Sequence, residues 1–417
     1  MNTVLIYSPS VVGHPAIYCR VIADSLADEN CNIVIAIGLN EVGSISESKD
    51  LQPLSIRADI KLIDCKEYSA AGNPSLSAEE LLNLQETFKI NTTLFIEADK
   101  YKEQFLRIFQ GLAPRLRGRN IGIFAATSNW HPGEDTYTGE KIRLKAKTVR
   151  TTLGNIKRAI FNRRESAKFF YEKIIISGRV LDEIWVKDER LEKWYGPPVY
   201  WMPEISRPDT NDESATDIEE LARHRSGLRE FFEKNNGREP LLYFGDAAYY
   251  KGYDIFLEFI ANNPDTCAIH PGRSYDSNQK QYFSVDVEFL RSSLLAQGRL
   301  YETNDYIHTQ SLKELFFNSI RVYITTHRLA LSSSTMIQAI ELGKPVLVPD
   351  RGLIGFRVSK NGLGGVYRYG DLNDLSAQAQ ALWNSDLTRF VVPLEDFWQR
   401  FSAQSLRTFF VARLLSK

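Results

Sequence analysis

The chain has 417 residues, 43% of them hydrophobic, which is enough for two ordinary domains with their own cores. Its formal net charge of −1 argues against a whole-chain electrostatic attraction to nucleic acid. No stretch of the sequence approaches the ~18 consecutive apolar residues of a membrane-spanning helix.

The cysteines and the first residues favour a cytoplasmic protein. The four cysteines, Cys19, Cys31, Cys65 and Cys267, form no CxxC pair, so we expect neither a zinc site nor a disulfide framework. The opening residues MNTVLIYSPS begin a strand directly and lack the basic region and long apolar segment of a signal peptide. We therefore expect a cytoplasmic chain whose cysteines are reduced core residues.

The first half opens with a βαβ pattern. A buried strand is predicted at Thr3–Tyr7, a glycine-bearing loop at Ser8–His14, a helix at Pro15–Ala27 and a second strand at Asn32–Ile37. This opening is typical of doubly wound folds, although the GxGxxG fingerprint of dinucleotide binding is absent. His14 stands at the carboxyl end of the first strand, where it either contacts a substrate or caps the helix.

A polar, aromatic loop follows a later strand of this half. The strand is Asn120–Ala125, and the loop after it carries Trp130, His131 and Pro132. His131 is a candidate general base, or a hydrogen-bond donor to a leaving phosphate, but a loop histidine beside Trp and Pro is as often structural. The other elements predicted here are strands at Ile60–Ile63, Thr92–Glu97, Lys173–Ser177 and Glu183–Val186 and helices at Ala78–Thr87 and Tyr101–Leu112.

Lys141–Arg164 is strongly basic, with no acidic residue between Glu140 and Glu165. Its apolar residues recur at helical spacing, and a basic amphipathic segment suggests contact with an anionic surface. A membrane that bears a lipid-linked acceptor would be such a surface, so we expect peripheral contact with the inner face of the cell membrane. The alternative is a solvated basic helix that packs its apolar side on the domain. The candidate contact residues are Lys145, Arg150, Lys157, Arg158, Arg163 and Arg164.

A proline-rich stretch, Pro197–Glu213, is the predicted linker, and a charged helix, Asp217–Lys234, follows it. The second half then begins with a strand at Glu239–Phe244. Gly245 and Lys251 lie in the loop after that strand, where a lysine beside a helix start suits phosphate binding.

Later strands of this half carry further candidates at their ends. The strand Thr266–His270 precedes Arg273, and the strand Arg299–Glu302 precedes Tyr306 and Ile307. The predicted helices are Leu312–Asn318, Leu375–Trp383 and a terminal helix, Phe397–Leu414.

The stretch from Val322 to Arg351 predicts another βαβ unit. A short strand leads into a polar loop with His327, and Gly343 stands where a left-handed helix cap is expected. Between them lie Ser332–Thr335, whose hydroxyls stand at a helix start and at the carboxyl end of a strand. A diphosphate there would meet free N–H groups and the positive end of the helix dipole. Plain helix capping, which needs no ligand, explains the same residues equally well.

The second half resembles the donor domain of retaining GT-B glycosyltransferases, the large group often called family 4. YFGDAAYYKGYD resembles that family's glycine–arginine…lysine–glycine loop, with Gly245, Lys251 and Gly252 in register. IQAIELGKPVLVPDRG resembles its glutamate–alanine–methionine segment, with Ala339 and Gly343 in register. SLKELFFNSIRVYITT resembles the helix and strand before the donor site, and GDLNDLSAQAQAL resembles the closing helix.

The resemblance implies an α/β protein with the GT-B fold. That fold has two Rossmann-like doubly wound parallel-sheet domains facing a cleft and a C-terminal helix that crosses back. The implied domains are residues 1–200 for acceptor binding and residues 201–395 for binding the nucleotide-sugar donor. Residues 396–417 would pack back toward the first domain.

The sequence departs from the family at three positions. The family's two glutamates fall at Ala330 and Gln338, and its donor-loop arginine is Asp246. In such enzymes the first glutamate contacts the sugar and the second contacts the ribose hydroxyls. Gln338 can still hydrogen-bond a ribose through its amide, whereas Ala330 has no polar side chain for a sugar hydroxyl. Asp246 brings negative charge where a diphosphate prefers positive charge. The candidates to compensate are Arg273, Arg328 and Arg351.

Three hypotheses follow. The first is an active, metal-independent hexosyltransferase that moves a sugar from a UDP- or GDP-linked donor to a glycan or lipid-linked acceptor, in envelope or exopolysaccharide biosynthesis. The second is a catalytically silent GT-B partner of an active transferase, which the loss of both glutamates favours. The third is another GT-B enzyme, such as a nucleotide-sugar epimerase or a phosphorylase.

Under the first hypothesis, the donor site needs neither a metal ion nor another cofactor, since no DxD motif with supporting ligands is evident. His131 and His14 would handle the acceptor or the sugar, Tyr306 and Ile307 would flank the base, and Gln338 would hold the ribose. The candidate donor-binding residues are Gly245, Lys251, Arg273, Tyr306, Ile307, His327, Ser332, Ser333, Ser334, Thr335 and Gln338.

Overall fold

The computed structural model describes residues 2–8, 14–38, 51–70, 72, 75–124, 180–205, 215–273, 283, 285–305, 307, 309–328 and 332–415. These residues form two compact units. Of the described residues, the first unit contains those from 2 to 124, from 180 to 205 and from 401 to 415, and the second contains those from 215 to 400.

The first unit is built on a seven-stranded parallel sheet in the order β3-β2-β1-β4-β5-β6-β7. Its central strands are buried along nearly their whole length, as expected where helices cover both faces of a parallel sheet. The order reverses between β1 and β4, which makes the sheet doubly wound. The strands are β1 (Asn2–Ser8), β2 (Cys31–Ile37), β3 (Ile60–Asp64), β4 (Thr92–Phe95), β5 (Arg119–Phe124), β6 (Glu183–Val186) and β7 (Val199–Trp201).

The described helices of this unit start where the sequence offers caps. Ser77 and Glu80 form a capping box at the start of α4, in which each side chain accepts from the other residue's backbone N–H. Asp188 caps α6 by accepting from the backbone N–H of Arg190. The helices are α1 (His14–Ser25), α2 (Gln52–Ser55), α3 (Cys65–Tyr68), α4 (Ala78–Thr87), α5 (Lys102–Phe109) and α6 (Glu189–Tyr195).

The second unit holds two three-stranded parallel sheets, β10-β9-β8 and β11-β12-β13. Because β8 and β11 are in contact, the six strands follow the order of a doubly wound fold that reverses between these two. The strands are β8 (Glu239–Leu242), β9 (Thr266–Pro271), β10 (Leu300–Thr303), β11 (Tyr323–Ile324), β12 (Val346–Pro349) and β13 (Gly364–Tyr367).

The helices of the second unit alternate with its strands. Thr309 and Asp371 cap two of them by accepting from backbone N–H groups of the first turn. Gly343 has a φ of 68°, which confirms the left-handed cap predicted after α11. The helices are α7 (Ala215–Lys234), α8 (Tyr253–Asn262), α9 (Val287–Ala296), α10 (Gln310–Asn318), α11 (Ser334–Glu341), α12 (Gly352–Asn361), α13 (Leu372–Trp383) and α14 (Val391–Gln399).

The chain then returns to the first unit through α15 (Ala403–Leu414). Phe410 is fully buried in the first unit's core, and its ring centroid lies 5.9 Å from that of Trp185. The backbone carbonyl of Arg413 accepts a hydrogen bond from the guanidinium of Arg119 at 2.5 Å. Apolar packing and a polar contact thus attach this helix to the first sheet.

The predicted terminal helix and the predicted linker need correction. The single terminal helix predicted at Phe397–Leu414 is two helices, because Ser402 interrupts it and caps α15 by accepting from the N–H of Ser405 at 3.2 Å. The predicted linker, Pro197–Glu213, contains β7, whose residue Val199 is fully buried. The predicted strand Lys173–Ser177 lies outside the described residues. All four cysteines are free and buried, as predicted.

Candidate active site

The candidate site lies where the strand order of the second unit reverses, since ligands of doubly wound sheets bind outside the carboxyl ends of the strands at such a point. Residues 243–252 follow β8, and residues 325–328 follow β11. Helix α11 begins shortly afterwards, at Ser334. These two loops and the helix start hold most of the predicted donor-binding residues.

A glycine contact locks the two loops together. The Thr326 hydroxyl donates to the carbonyl oxygens of Gly252, at 2.8 Å, and Lys251, at 3.1 Å. Gly252 has a φ of 71°, and a Cβ on it would stand 2.0 Å from the Thr326 carbonyl oxygen. Only glycine fits both the backbone conformation and this close approach. The position of Lys251 is therefore fixed by the backbone of both loops.

Two further glycines, Gly245 and Gly272, lie next to Lys251 and to each other. Gly245 has a φ of 94°, and its N–H donates to the carbonyl of Pro271 at 3.0 Å. A Cβ on Gly245 would lie 2.9 Å from Nζ of Lys251, and one on Gly272 would lie 2.4 Å from the Gly245 carbonyl oxygen. Because neither residue has a side chain, the ammonium rests directly on the Gly245 backbone.

Lys251 carries a largely uncompensated charge. Burial lowers the pKa of its ammonium, and the carboxylate of Asp246 opposes that shift only in part. Within the described part of the chain, no carboxylate lies within 4.0 Å of Nζ, the limit for an ion pair. A half-buried cation without a direct partner is the electrostatic condition for binding an anion.

His327 stands beside this lysine as a neutral ring. Its Nδ1 hydrogen-bonds with the hydroxyl of Thr325, which leaves Nε2 as the ring nitrogen available to a ligand. Burial and then the charge of Lys251 lower the pKa of His327 to about 3. The site thus places one ammonium beside one neutral imidazole, whose Nε2 carries the proton only if Nδ1 accepts from Thr325.

Arg328 cannot compensate for the missing family arginine, because it is already paired. Its guanidinium donates to both carboxylate oxygens of Asp254 at 2.6 Å and to the carbonyl of Tyr249 at 2.9 Å. Both charged side chains are buried. This bidentate pair joins the loop after β11 to helix α8, so its role is structural.

The other two candidate arginines also have contacts. Arg273 is largely exposed and lies 3.9 Å from the carboxylate of Asp246, whose charge it offsets. The guanidinium of Arg351 lies 3.6 Å from the centroid of the Tyr369 ring. Of the three arginines, Arg273 is the one whose contact reduces the negative charge on the loop after β8.

The start of α11 combines capping with exposed hydroxyls. Ser333 caps the helix by accepting from the N–H of Met336 at 3.3 Å. Its hydroxyl also contacts that of Thr335 at 3.0 Å, and the Tyr323 hydroxyl donates to Thr335 at 3.0 Å. Capping therefore accounts for Ser333 and Thr335, whereas Ser332 is half-buried and Ser334 is exposed.

Gln338 presents an unsatisfied amide oxygen. The residue is half-buried, and its Oε1 is buried without a hydrogen-bond partner among the described residues. Since buried polar atoms are seldom left unpaired, a hydroxyl donor at this position would be favourable. Ile307, which was predicted to flank a base, is 92% buried.

A buried series of hydrogen-bonded side chains contacts the Gly245 carbonyl, and the sequence analysis did not identify it. His270 is fully buried; its Nε2 lies 3.0 Å from the Gly245 carbonyl oxygen and its Nδ1 lies 3.0 Å from the Glu302 carboxylate. Arg291 donates to the same carboxylate at 2.7 Å. Burial raises the pKa of Glu302, but hydrogen bonds and charge from His270 and Arg291 outweigh it and lower the pKa to about 2. His270 and Glu302 are 32 residues apart, so no local pattern reveals the pair.

The first unit has its own charged cluster at the carboxyl edge of its sheet. Lys187 directly follows β6, and its Nζ lies 5.2 Å from the ring centroid of Tyr18. Burial lowers the pKa of Lys187, but Tyr18, Glu204 and Glu97 outweigh it and raise the pKa overall. Glu97 has a left-handed backbone, with a φ of 53°, and this conformation ends β4 earlier than predicted. Sequence reasoning missed this cluster because its members come from four separate elements.

The structure brings Gly245, Lys251 and His327 together. It places Ser332–Thr335 at the start of α11 and Gln338 one turn further along that helix. His14 is the first residue of α1, at the carboxyl end of β1, and its side chain is not described. The remaining candidates lie outside the described residues and stay predictions: His131, Tyr306, Lys145, Arg150, Lys157, Arg158, Arg163 and Arg164.

Comparison with known proteins shows a full-length structural likeness at low sequence identity. No protein-family model matches the sequence, and no curated protein matches it. HepE of Anabaena in complex with UDP superposes with a TM-score of 0.62 at 11% identity, covering 100% of both chains. Sucrose-phosphate synthase of Thermosynechococcus elongatus gives 0.60 at 13% identity, covering 100% of this chain and 99% of the other. UDP-GlcNAc 2-epimerase of Neisseria meningitidis, bound to UDP-GlcNAc, gives 0.52 at 12% identity over 100% of both chains.

The chain has the GT-B fold. The predicted fold class is thereby confirmed: the protein is an α/β protein with two doubly wound parallel units and a C-terminal helix that returns to the first. No described helix of this GT-B chain is both long and apolar enough to cross a membrane.

Proposed function

We propose that this GT-B chain is a glycosyltransferase that takes its sugar from a nucleotide diphosphate donor, UDP- or GDP-linked. The observation that carries the proposal is the half-buried ammonium of Lys251, which rests on the Gly245 backbone without a carboxylate partner in the described residues. HepE, whose fold this chain shares, has been solved with UDP, and this supports a nucleotide ligand.

The chemistry required of this site is stabilisation of charge on a leaving diphosphate. As the bond between sugar and phosphate breaks, negative charge grows on the phosphate oxygens, and preorganised cations and N–H donors lower the barrier most effectively. Lys251 supplies the cation, and His327 supplies an N–H donor in the tautomer whose Nε2 is protonated. The start of α11 supplies backbone N–H groups and a positive dipole end.

Positioning is the second requirement. The Thr326–Gly252 contact fixes Lys251 before any ligand arrives, so little freedom is lost on binding. The unpaired Oε1 of Gln338 would accept from a ribose hydroxyl. His14 and His131 remain the candidates for handling the acceptor or the sugar. We propose that the transferred group is a hexose and that the reaction uses no metal at the diphosphate.

For the acceptor, we propose a glycan or lipid-linked carrier in envelope or exopolysaccharide synthesis. The basic segment Lys141–Arg164 supports this, because it would attract an anionic membrane surface that holds such a carrier. Cosedimentation with anionic liposomes measures it. Binding should weaken when Arg163 and Arg164 are both changed to Gln, and binding that is absent or unchanged would contradict the membrane contact.

The catalytically silent partner remains the second candidate, because Ala330 and Gln338 replace the family's two glutamates. The epimerase alternative has fold likeness alone behind it. Nucleotide binding separates the first two hypotheses, since a silent partner that has lost its donor has no use for an unpaired cation at this position.

Calorimetric titration with UDP, GDP and ADP tests the proposal. We expect micromolar binding of one nucleotide, weakened by about 1–3 kcal/mol in Lys251→Ala because a charge-assisted contact is lost. Lys234→Ala, at an exposed lysine at the end of α7, is the matched control and should bind as the wild type does. Failure to bind any of the three nucleotides would make the silent partner the leading hypothesis.

In the same titration, a serine variant can test whether the diphosphate binds at the start of α11, provided that the substitution does not remove the helix cap. Ser333→Ala removes a helix cap and so costs roughly 1 kcal/mol of stability whether or not a ligand binds. Ser334→Ala leaves the cap intact and removes an exposed hydroxyl at the same helix start. Weaker nucleotide binding in Ser334→Ala, at unchanged stability, would place the diphosphate at this helix.

A further inference from the structure

A cluster of metal-ligating side chains lies outside the candidate active site, between α7 and the end of β10. Glu220 and His224 are four residues apart on α7 and therefore share a face. Asp305 follows β10 and reaches the same point. Nε2 of His224 lies 3.3 Å from a carboxylate oxygen of Asp305 and 3.6 Å from one of Glu220. All three donor atoms lie within 4.8 Å of one another.

These spacings fit a tetrahedral ion. Zinc bonds to histidine nitrogen and carboxylate oxygen at roughly 2.0–2.2 Å, so tetrahedral geometry sets neighbouring donor atoms about 3.3–3.6 Å apart. The two distances from His224 fall in that range. One imidazole and two carboxylates form a donor set that suits Zn²⁺ and needs no cysteine.

His224 is oriented through its second ring nitrogen, as metal-ligating histidines usually are. Its Nδ1 lies 3.1 Å from the hydroxyl of Tyr301, so the ring orientation is fixed and Nε2 is directed at the carboxylates. Gly227 makes this contact possible, since a Cβ there would lie 2.9 Å from the Tyr301 hydroxyl oxygen. Glycine is less favourable than alanine inside a helix, so the contact with Tyr301 gives a physical reason for a glycine at this position.

A cation already occupies the centre of the cluster. One guanidinium nitrogen of Arg223 lies 2.7 Å from Asp305, 3.3 Å from His224 and 3.9 Å from Glu220. The Arg223 side chain is 62% exposed, so it can swing into solvent at little cost. A cavity of about 480 Å³ opens beside the cluster and is lined by Glu219 and Asn304, which leaves room for a fourth ligand or a water.

We propose that Glu220, His224 and Asp305 bind a divalent transition metal ion, zinc by its donor set, and that the Arg223 guanidinium takes the ion's place when no metal is bound. Arg223 and the ion are alternatives, because the same three donor atoms face both. Bound zinc ties α7 to the loop after β10 more firmly than the guanidinium does, and so stabilises the second unit. The site lies apart from the diphosphate-binding residues, so this proposal does not depend on the proposed function.

Zinc titration of the full chain after treatment with EDTA, by competition with a chromophoric chelator, tests the site. We expect one saturable ion per chain and a melting temperature that rises with zinc concentration. Asp305→Asn and Glu220→Gln should each weaken binding at least tenfold. Glu233→Gln, at an exposed carboxylate of the same helix, is the matched control and should leave binding unchanged.

Arg223→Gln distinguishes a metal site from an ion-paired cluster. Because the competing cation is removed, zinc affinity should rise by about tenfold or more if the proposal is right. His224 is almost fully buried and its replacement threatens folding, so the test rests on the exposed and half-buried positions. The proposal is overturned if neither the wild type nor Arg223→Gln takes up one zinc ion, or if uptake survives both Asp305→Asn and Glu220→Gln.

Discussion

A lysine stands at the carboxyl edge of the sheet in each unit, and the two lysines have opposite electrostatic surroundings. In the first unit, Tyr18, Glu97 and Glu204 surround Lys187 and raise the pKa of its ammonium despite burial. In the second, burial dominates and lowers the pKa of Lys251. The first lysine is compensated by its own chain, and the second has no carboxylate within ion-pair distance among the described residues. Doubly wound topology therefore supplies the edge, and the nearby carboxylates decide whether a lysine there is compensated or keeps an unpaired charge.

The largest effect is expected where the backbone itself positions Lys251. Gly252→Ala would place a methyl group 2.0 Å from the Thr326 carbonyl oxygen in a left-handed conformation. Strain and overpacking together should cost about 2–5 kcal/mol of the free energy of unfolding, measured by denaturant titration. Gly343→Ala is the control: its φ is 68° but nothing lies within 4 Å, so only the conformational cost of about 1–2 kcal/mol remains. Equal losses in both variants would show that the close contact does not matter.

Removing the compensated lysine should be the next largest effect. Lys187→Met removes the cation that interacts with Glu204 and Glu97, although Glu97 keeps its ion pair with Lys100. We expect a loss of about 2 kcal/mol in the free energy of unfolding, less than for a fully buried pair because the lysine is half-buried. Lys193→Met, at an exposed lysine on α6, serves as the control and should change stability little. If Lys187→Met is as stable as the wild type, the interaction of Lys187 with nearby carboxylates does not stabilise the fold, and the contrast with Lys251 is wrong.

The same substitution at the other lysine should have the opposite effect on stability. Lys251→Met removes a half-buried charge that lacks a direct partner, so the free energy of unfolding should stay constant or rise. Nucleotide affinity should fall about 10- to 100-fold, or roughly 1–3 kcal/mol, through loss of the charge-assisted contact. Chemical denaturation and calorimetry on one preparation measure both quantities. A variant that loses stability but keeps its affinity would place Lys251 among the structural residues.

The sequence pattern around Lys251 suggested a binding loop, whereas no pattern in the sequence indicated the cluster around Lys187. A strand, a glycine and a lysine–glycine pair lie within fourteen residues, Glu239–Gly252, so their spacing suggested a phosphate-binding loop, which stays a prediction. The cluster around Lys187 joins α1 to segments that follow β4, β6 and β7, and no local pattern reports which distant carboxylates converge. Arg328 shows the same limit. It was a candidate phosphate ligand by position, but its partner, Asp254, is 74 residues away in sequence.

Helix boundaries failed for a related reason. Apolar residues recur through Phe397–Leu414, so periodicity predicted one helix. The helix is interrupted at Ser402, whose side chain caps α15. A capping serine and a serine inside a helix cannot be told apart in the sequence. The linker prediction was wrong because the prolines of this stretch obscured a short strand, β7, which pairs in parallel with β6.

Per pH unit, the smallest expected effect on stability comes from His327, and it measures how strongly Lys251 acts on its neighbour. The folded ring has a pKa of about 3 against an ordinary value of 6.5, so between these values the unfolded chain binds a proton that the folded chain does not. Stability should therefore fall as pH falls from 6.5 toward 3, by at most about 1.4 kcal/mol per pH unit and by less because the ring is partly exposed. His327→Asn should flatten this slope, and Lys251→Met should flatten it partly because one cause of the shift is gone. Denaturant titrations at several pH values measure the slopes. If Lys251→Met has the slope of the wild type, burial alone holds the ring neutral, and the lysine's charge is directed away from it.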